Sequence, residues 1–155
     1  MQATAQPAYD ERMSRLQTAM KGLGLGAVVL EPGPAMTYLA GVRWWRSERT
    51  FAMVLPARGE AVWVVPAFEE MRARELIRPG SDIRAWQEDE SPFERIVQAL
   101  GERGAESGGI GMDDGARFFV FDGIRKLAPK LELVSATPAL EAAGVPLVPP
   151  GGRGR

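Results

Sequence analysis

The run Ala27-Val28-Val29-Leu30 constrains the fold more than any other stretch of the chain. It is wholly apolar, short, rich in β-branched residues, and bounded by glycine on one side and Glu31-Pro32-Gly33-Pro34 on the other. Such a run reads as a strand buried on both faces. A strand of that kind needs a helical layer on each side of its sheet.

The flanking segments supply those layers. Tyr9, Met13, Leu16, Met20 and Leu23 recur at spacings of four and three, on one helical face, and the helix is expected to stop near Lys21-Gly22. Residues 35–40 read as a short helical turn. Residues 51–55 and 61–65 are apolar runs around Pro56-Ala57-Arg58-Gly59-Glu60, the pattern of a β-hairpin. Residues 67–77 form the next expected helix, with Phe68, Met71 and Leu76 as its apolar face, and Pro79-Gly80 ends it; residues 81–86 are a weaker strand. Ser91-Pro92-Phe93-Glu94 carries an N-cap serine, a proline at the first helical position and a glutamate able to return a bond to the serine amide. Phe93, Ile96, Val97 and Leu100 give that helix its apolar side. Residues 110–112 are a short strand, Phe118, Phe121, Ile124 and Leu127 mark another helix, and residues 131–134 a last strand. Helices between strands imply crossovers and parallel pairing, with the hairpin adding an antiparallel pair. The expectation is an α/β fold: a mixed, mostly parallel sheet of five to six strands with helices on both faces, built by residues 1–142. Residues 143–155, dominated by proline, glycine and arginine, are expected to be a disordered tail that packs against nothing.

Composition narrows the chemistry. The 155 residues hold no cysteine and no histidine, so thiolate chemistry is excluded and the commonest general base and metal ligand are both missing. Net charge is −1, which gives no field for nucleic acid or an anionic membrane. No apolar run nears the roughly 20 residues that span a bilayer, and residues 1–13 hold no secretory apolar core, so a cytoplasmic location is the default expectation.

Four segments, in order, resemble the amino-terminal domain of the creatinase/prolidase metallopeptidases. They are RMSRLQTAM running into GAVVL; PAMTYLAGV; RTFAMVLPARGEAVWVVPAFEE; and GGIGMDD followed by a helix and a strand. The resemblance covers residues 9–140. It implies a parent in which a carboxy-terminal "pita-bread" domain, with aspartate, histidine and glutamate ligands, holds two divalent ions (manganese, cobalt or zinc) and cleaves amides, typically Xaa-Pro bonds. None of those ligands can be carried onto this sequence. The expectation is therefore a non-catalytic domain with no cofactor of its own, serving dimerisation or docking to the catalytic domain. Where a charged linker helix is expected after Leu140, this chain has proline and glycine. A truncated chain, a degenerate product and a natural stand-alone domain remain open readings.

Residues 43–49 are the candidate contact segment. Trp44 and Trp45 cannot both face a core from extended backbone, because successive side chains point to opposite sides. Aromatics flanked by arginine are enriched at interfaces. By resemblance, Trp44, Trp45, Arg46 and Arg49 line the entrance to a partner's active site, with arginine holding a substrate carboxylate. The plain alternative is a tryptophan packed under the hairpin beside solvated arginines. A stand-alone binding module using this same loop is the competing function. Asp113 or Asp114 reads as a helix cap rather than a metal ligand. Glu88, Asp89 and Glu90 read as a solvated loop, and Glu69-Glu70 as acids favouring a helix start. Gly22, Gly24 and Gly26 follow a helix and precede a strand, the reverse of a dinucleotide fingerprint.

Overall fold

The computed structural model describes the backbone of residues 2–147 and the side chains of residues 5–147. The chain order is α1 (Gln2–Gly22), β1 (Leu25–Leu30), α2 (Pro34–Ala40), β2 (Ala52–Pro56), β3 (Val62–Pro66), α3 (Glu70–Leu76), β4 (Asp82–Trp86), α4 (Pro92–Glu102), β5 (Gly109–Met112), α5 (Phe118–Leu127), β6 (Leu133–Ser135) and α6 (Thr137–Ala142). The strands form one six-stranded sheet in the order β4-β3-β2-β1-β5-β6. β1 pairs parallel with β5, β5 with β6 and β3 with β4, while β2 is antiparallel to both β1 and β3. Only β2 runs against the others, so the expected mixed, mostly parallel sheet is present.

The apolar runs divide between two cores by their period of two. Val28, Leu30, Met53, Leu55, Trp63 and Val65 face a cluster closed by Leu16 and Met20 of α1, Met36 and Leu39 of α2, Ala73 of α3 and Leu140 of α6. Ala27, Val29, Ala52, Val54, Val62 and Val64 face the other, closed by Ile96, Ala99 and Leu100 of α4 and Val120 and Ile124 of α5. Register keeps the faces coherent across strands: Val29 opposes Val54, and Met53 opposes Trp63.

Several local expectations need correction. Ser91 caps α4 through its hydroxyl, accepting from the Phe93 and Glu94 amides, but among the described residues no glutamate returns a bond to its own amide. Phe68 and Met71 do not face the core. A 3-10 turn over Ala67–Glu69 precedes α3 and rotates it, so that Ala73 and Ile77 are buried and those two large side chains face solvent. Leu23 lies past the end of α1 and is exposed, as are Phe118 and Leu127 at the two ends of α5. The packed region also extends beyond residue 142. Gly144 takes a left-handed φ of 72°, its N–H binds the Glu141 carbonyl, and the Val145 N–H binds the Leu140 carbonyl at 2.9 Å. That paired closure buries Val145 against Leu140, and Leu147 packs beside it. The remainder of the expected tail, residues 148–155, lies outside the described residues.

The β4 edge is held by charge. Arg84 grips Asp82 with Nε and Nη2, Arg103 of the α4 terminus reaches the same carboxylate at 2.7 Å, and Arg84 also pairs with Glu102. Chiefly through the Arg84 hydrogen bond, Asp82 is held below its ordinary pKa of 3.8. A depressed carboxylate stabilises the fold at pH above 3.8, and that stabilisation disappears as pH falls through the folded-state value. Asp82→Asn is therefore expected to lower stability at neutral pH and to flatten the acid side of the stability profile, read by urea titrations across pH.

Gly26 has a packing reason to be glycine. A Cβ placed there would meet the Ala105 carbonyl oxygen at 2.1 Å, and that atom belongs to backbone. Gly26→Ala is expected to cost about 3 kcal/mol of stability by overpacking, measured by chemical denaturation.

Candidate functional site

Because β1, β3, β4, β5 and β6 point the same way, their carboxyl ends share one edge of the sheet, and the start of β2 joins them there. The chain leaves β1 towards α2 on one face and leaves β5 towards α5 on the other. In open α/β sheets the crevice at such a divergence is the usual ligand position. Here it is filled by charge. Glu31, at the end of β1, is 1% exposed, and it accepts from the Arg117 backbone N–H at 2.7 Å, from Nε at 3.1 Å and from Nη2 at 2.6 Å. A buried carboxylate is tolerated only with its lone pairs engaged, and this one is engaged by a residue 86 positions away.

The loop of residues 41–51 is built over that pair. Arg117 Nη1 donates to the Ser47 carbonyl at 2.7 Å. Arg46 donates from Nε to the Pro32 carbonyl and from Nη1 to the Gly115 carbonyl, with Glu31 and Asp113 each 3.9 Å away. Trp44 turns inward and stacks on Phe51, ring centroids 4.3 Å apart, and Phe51 meets Trp63 edge-on. Trp45 turns outward and is 92% exposed. Arg49 binds Glu88 at 2.7 Å and lies over the Phe68 ring.

The two tryptophans thus divide as extended backbone requires, one packed and one solvated. Arg46 is less available than a carboxylate-binding arginine needs to be, because two of its nitrogens already hold loop carbonyls. Asp113 and Asp114 do not cap α5, whose flanking residue Arg117 makes no side-chain cap. Asp113 accepts from the Gly115 amide, and Asp114 accepts from the Ser135 and Thr137 hydroxyls at the start of α6. Burial pushes the Asp113 carboxyl above its ordinary pKa, against the pull of the Gly115 amide and Arg46. The reading of the sequence missed Glu31 and Arg117. The available signal was an acid set directly against a wholly apolar strand.

Among the described residues no three acidic side chains converge where a metal ion would sit, and the full sequence has no histidine. The two-metal ligand set that the resemblance implies does not fit this chain. The Gly22, Gly24 and Gly26 segment runs from α1 into β1, so it opens no helix towards a phosphate.

Residues 12–143 match the Creatinase/Prolidase N-terminal domain model. The chain belongs to this family. An uncharacterized peptidase of Schizosaccharomyces pombe is 32% identical over 107 residues, 60% of this chain and 24% of the relative. The solved dipeptidase PepE from Mycobacterium ulcerans superposes with a TM-score of 0.77 at 27% identity, covering 87% of this chain and 36% of that one. The Creatinase/Prolidase N-terminal domain of an X-Pro dipeptidase from Streptococcus pyogenes superposes with a TM-score of 0.70 at 19% identity, covering 84% and 97%, and shows the shared fold. The chain spans about a quarter of the length of the curated relatives it matches. No helix among the described residues is long and apolar enough to cross a membrane.

Replacing Glu31 by glutamine keeps its size and removes the charge that Arg117 neutralises. We expect Glu31→Gln to cost about 3 kcal/mol in chemical denaturation. In a double-mutant cycle with Arg117→Met, the two losses are expected to fall well short of additive.

Proposed function

We propose that this chain is the non-catalytic amino-terminal domain of an Xaa-Pro dipeptidase or creatinase-type metallohydrolase, serving dimerisation and shaping the entrance to a partner's active site. The observation that carries the reading is the Trp45 loop: a fully presented indole on a loop fixed by Arg46 and Arg117, in a chain of a peptidase-associated domain family. The dinuclear metal centre, of manganese, cobalt or zinc, belongs in this proposal to the catalytic domain, which supplies the activated water. This domain supplies shape: Trp45 and Phe68 wall the approach, and Arg43, exposed and two residues before Trp45 in the chain, offers its guanidinium to a substrate carboxylate. A cytoplasmic location accords with the absence of cysteine. The second reading, a stand-alone interaction module, draws on the same exposed loop.

The test has two arms. The chain alone, with manganese or cobalt, is expected to cleave an Xaa-Pro dipeptide no faster than metal alone. Turnover above that control overturns the non-catalytic reading. Exchanged for the amino-terminal domain of a PepE-type dipeptidase, the chain is expected to support activity. In that chimera Trp45→Ala is expected to raise KM several-fold with kcat nearly unchanged. Unchanged kinetics would favour the stand-alone module.

A further inference from the structure

A cavity of about 360 Å³ opens at the amino edge of the sheet, the end opposite the Trp45 loop. It lies where α1 ends, β1 begins, the β2–β3 hairpin turns and α4 gives way to β5. Lys21, Arg58, Arg103 and Ser107 line it, together with the turns carrying Gly24 and Gly104, and no acidic side chain does. A Cβ at Gly24 or Gly104 would meet no atom within 4 Å, so the space beside both turns is open. The neighbouring acids are committed elsewhere. Glu60 lines a different cavity, against α1 and residues 77–81, and the Glu106 carboxylate lies over Gly101. Asp82 and Glu102 are engaged by Arg84. Most basic side chains of the described surface pair with a carboxylate, but Lys21 and Arg58 have no such partner among the described residues.

We propose that this cavity is an anion site, and that its ligand is the phosphate group of a small polar molecule. Charge is the first support. Two uncompensated cations converge beside a third, Arg103, and with no carboxylate among them an entering anion relieves their mutual repulsion. Rigidity is the second. The turn that carries Arg58 is held on both sides of it: Gln17 Nε2 donates to the Pro56 and Gly59 carbonyls, each at 2.8 Å. The Ala57 N–H donates to the Gly26 carbonyl at 2.8 Å, and Arg103 Nη1 to the Glu60 carbonyl at 2.6 Å. Arg58 is thus a free guanidinium on fixed backbone, so capturing a ligand orders a side chain and not a loop. The third support is the state of the helix-end carbonyls, which would repel an anion if left bare. Those of Lys21, Gly101 and Ala105 each accept from a glycine N–H of these turns, from Gly24, Gly104 and Gly108. The helix dipole accounts for a cation at Lys21, in the last turn of α1, but not for Arg58 on a hairpin turn. No aromatic ring lines the cavity, so nothing there would stack on a base, and a compact polar carrier fits better than a nucleotide. Side-chain cations, rather than a helix start, would meet the phosphate, as arginine and lysine do in charge-assisted pairs.

Calorimetric titration of the full chain at low ionic strength, in a buffer free of phosphate, tests the site with inorganic pyrophosphate, glycerol 3-phosphate and a hexaglutamate peptide. Saturable one-to-one binding of pyrophosphate or glycerol 3-phosphate is expected, weakening as salt is raised. The tighter of the two shows which source the cavity fits, free or esterified phosphate. Arg58→Gln and Lys21→Gln are each expected to weaken binding by about tenfold, with the melting temperature unchanged because both side chains are exposed. Lys130→Gln removes the same charge from an exposed lysine outside the cavity, and is expected to leave the affinity as it was. Equal weakening by all three variants overturns the site in favour of general charge attraction. Binding of hexaglutamate alone overturns the phosphate assignment and makes an acidic segment the occupant. If none of the probes binds, the proposal falls.

Discussion

Everything in this fold follows from β1 being apolar on both faces. A strand with Ala27 and Val29 on one side and Val28 and Leu30 on the other cannot lie at a surface, so it must be central and covered twice. That requirement places α1, α2, α3 and α6 on one face and α4 and α5 on the other. It also dictates where polarity begins. The first charged side chain after the strand, Glu31, is still inside the layers, and a carboxylate there needs dedicated partners. Arg117 provides them and, in doing so, fixes the crossover from β5 to α5. Its remaining donor holds Ser47, so the burial of one strand is connected, through one ion pair, to the posture of the exposed loop.

Element order was legible in the sequence because it depends on local periodicity and on punctuation by proline and glycine. The hairpin and the Ser91 cap are both local. What failed was the facing of short helices. Over residues 67–77 the spacing of Phe68, Met71 and Leu76 fits a helix, but a single 3-10 turn at Ala67–Glu69 shifts the phase and carries Phe68 and Met71 outward. Apolar periodicity identifies a stripe and does not say which partner the stripe meets. The last helix was missed for another reason. Thr137–Ala142 is too short for periodicity, and its signature was in the ends: Pro138 at the start and Gly144 at the finish. The ion pair between Glu31 and Arg117 was invisible because no local pattern links residues 86 positions apart.

The same topology explains why the exposed aromatics gather. Strands that run in one direction deliver their outgoing loops to one edge, and β2, the reversed strand, begins there too. Loops at that edge are free of the sheet's pairing demands, so their side chains are committed to neither core. The opposite edge is given over to tight connections, where Gly26 and Ala105 touch backbone to backbone. One edge is thus fixed by close packing and the other is open to variation, the division seen wherever function sits on loops over a rigid scaffold.

An exposed tryptophan is useful for recognition only if presenting it requires little ordering. On a floppy loop, binding would have to freeze the backbone, at about 1–2 kcal/mol for each residue fixed, and the indole's burial would be consumed by that cost. Here the ordering has been done during folding. Trp44 is stacked beneath, Arg46 holds Pro32 and Gly115, Arg117 holds Ser47, and Arg49 holds Glu88. Outside the loop these anchors come from three separate parts of the chain, at Pro32, Glu88 and Gly115–Arg117, so the loop is held only when those parts are folded together. Arg46, Arg49 and Arg117 therefore act first as struts, and the side chain they hold out to solvent is Trp45, 92% exposed.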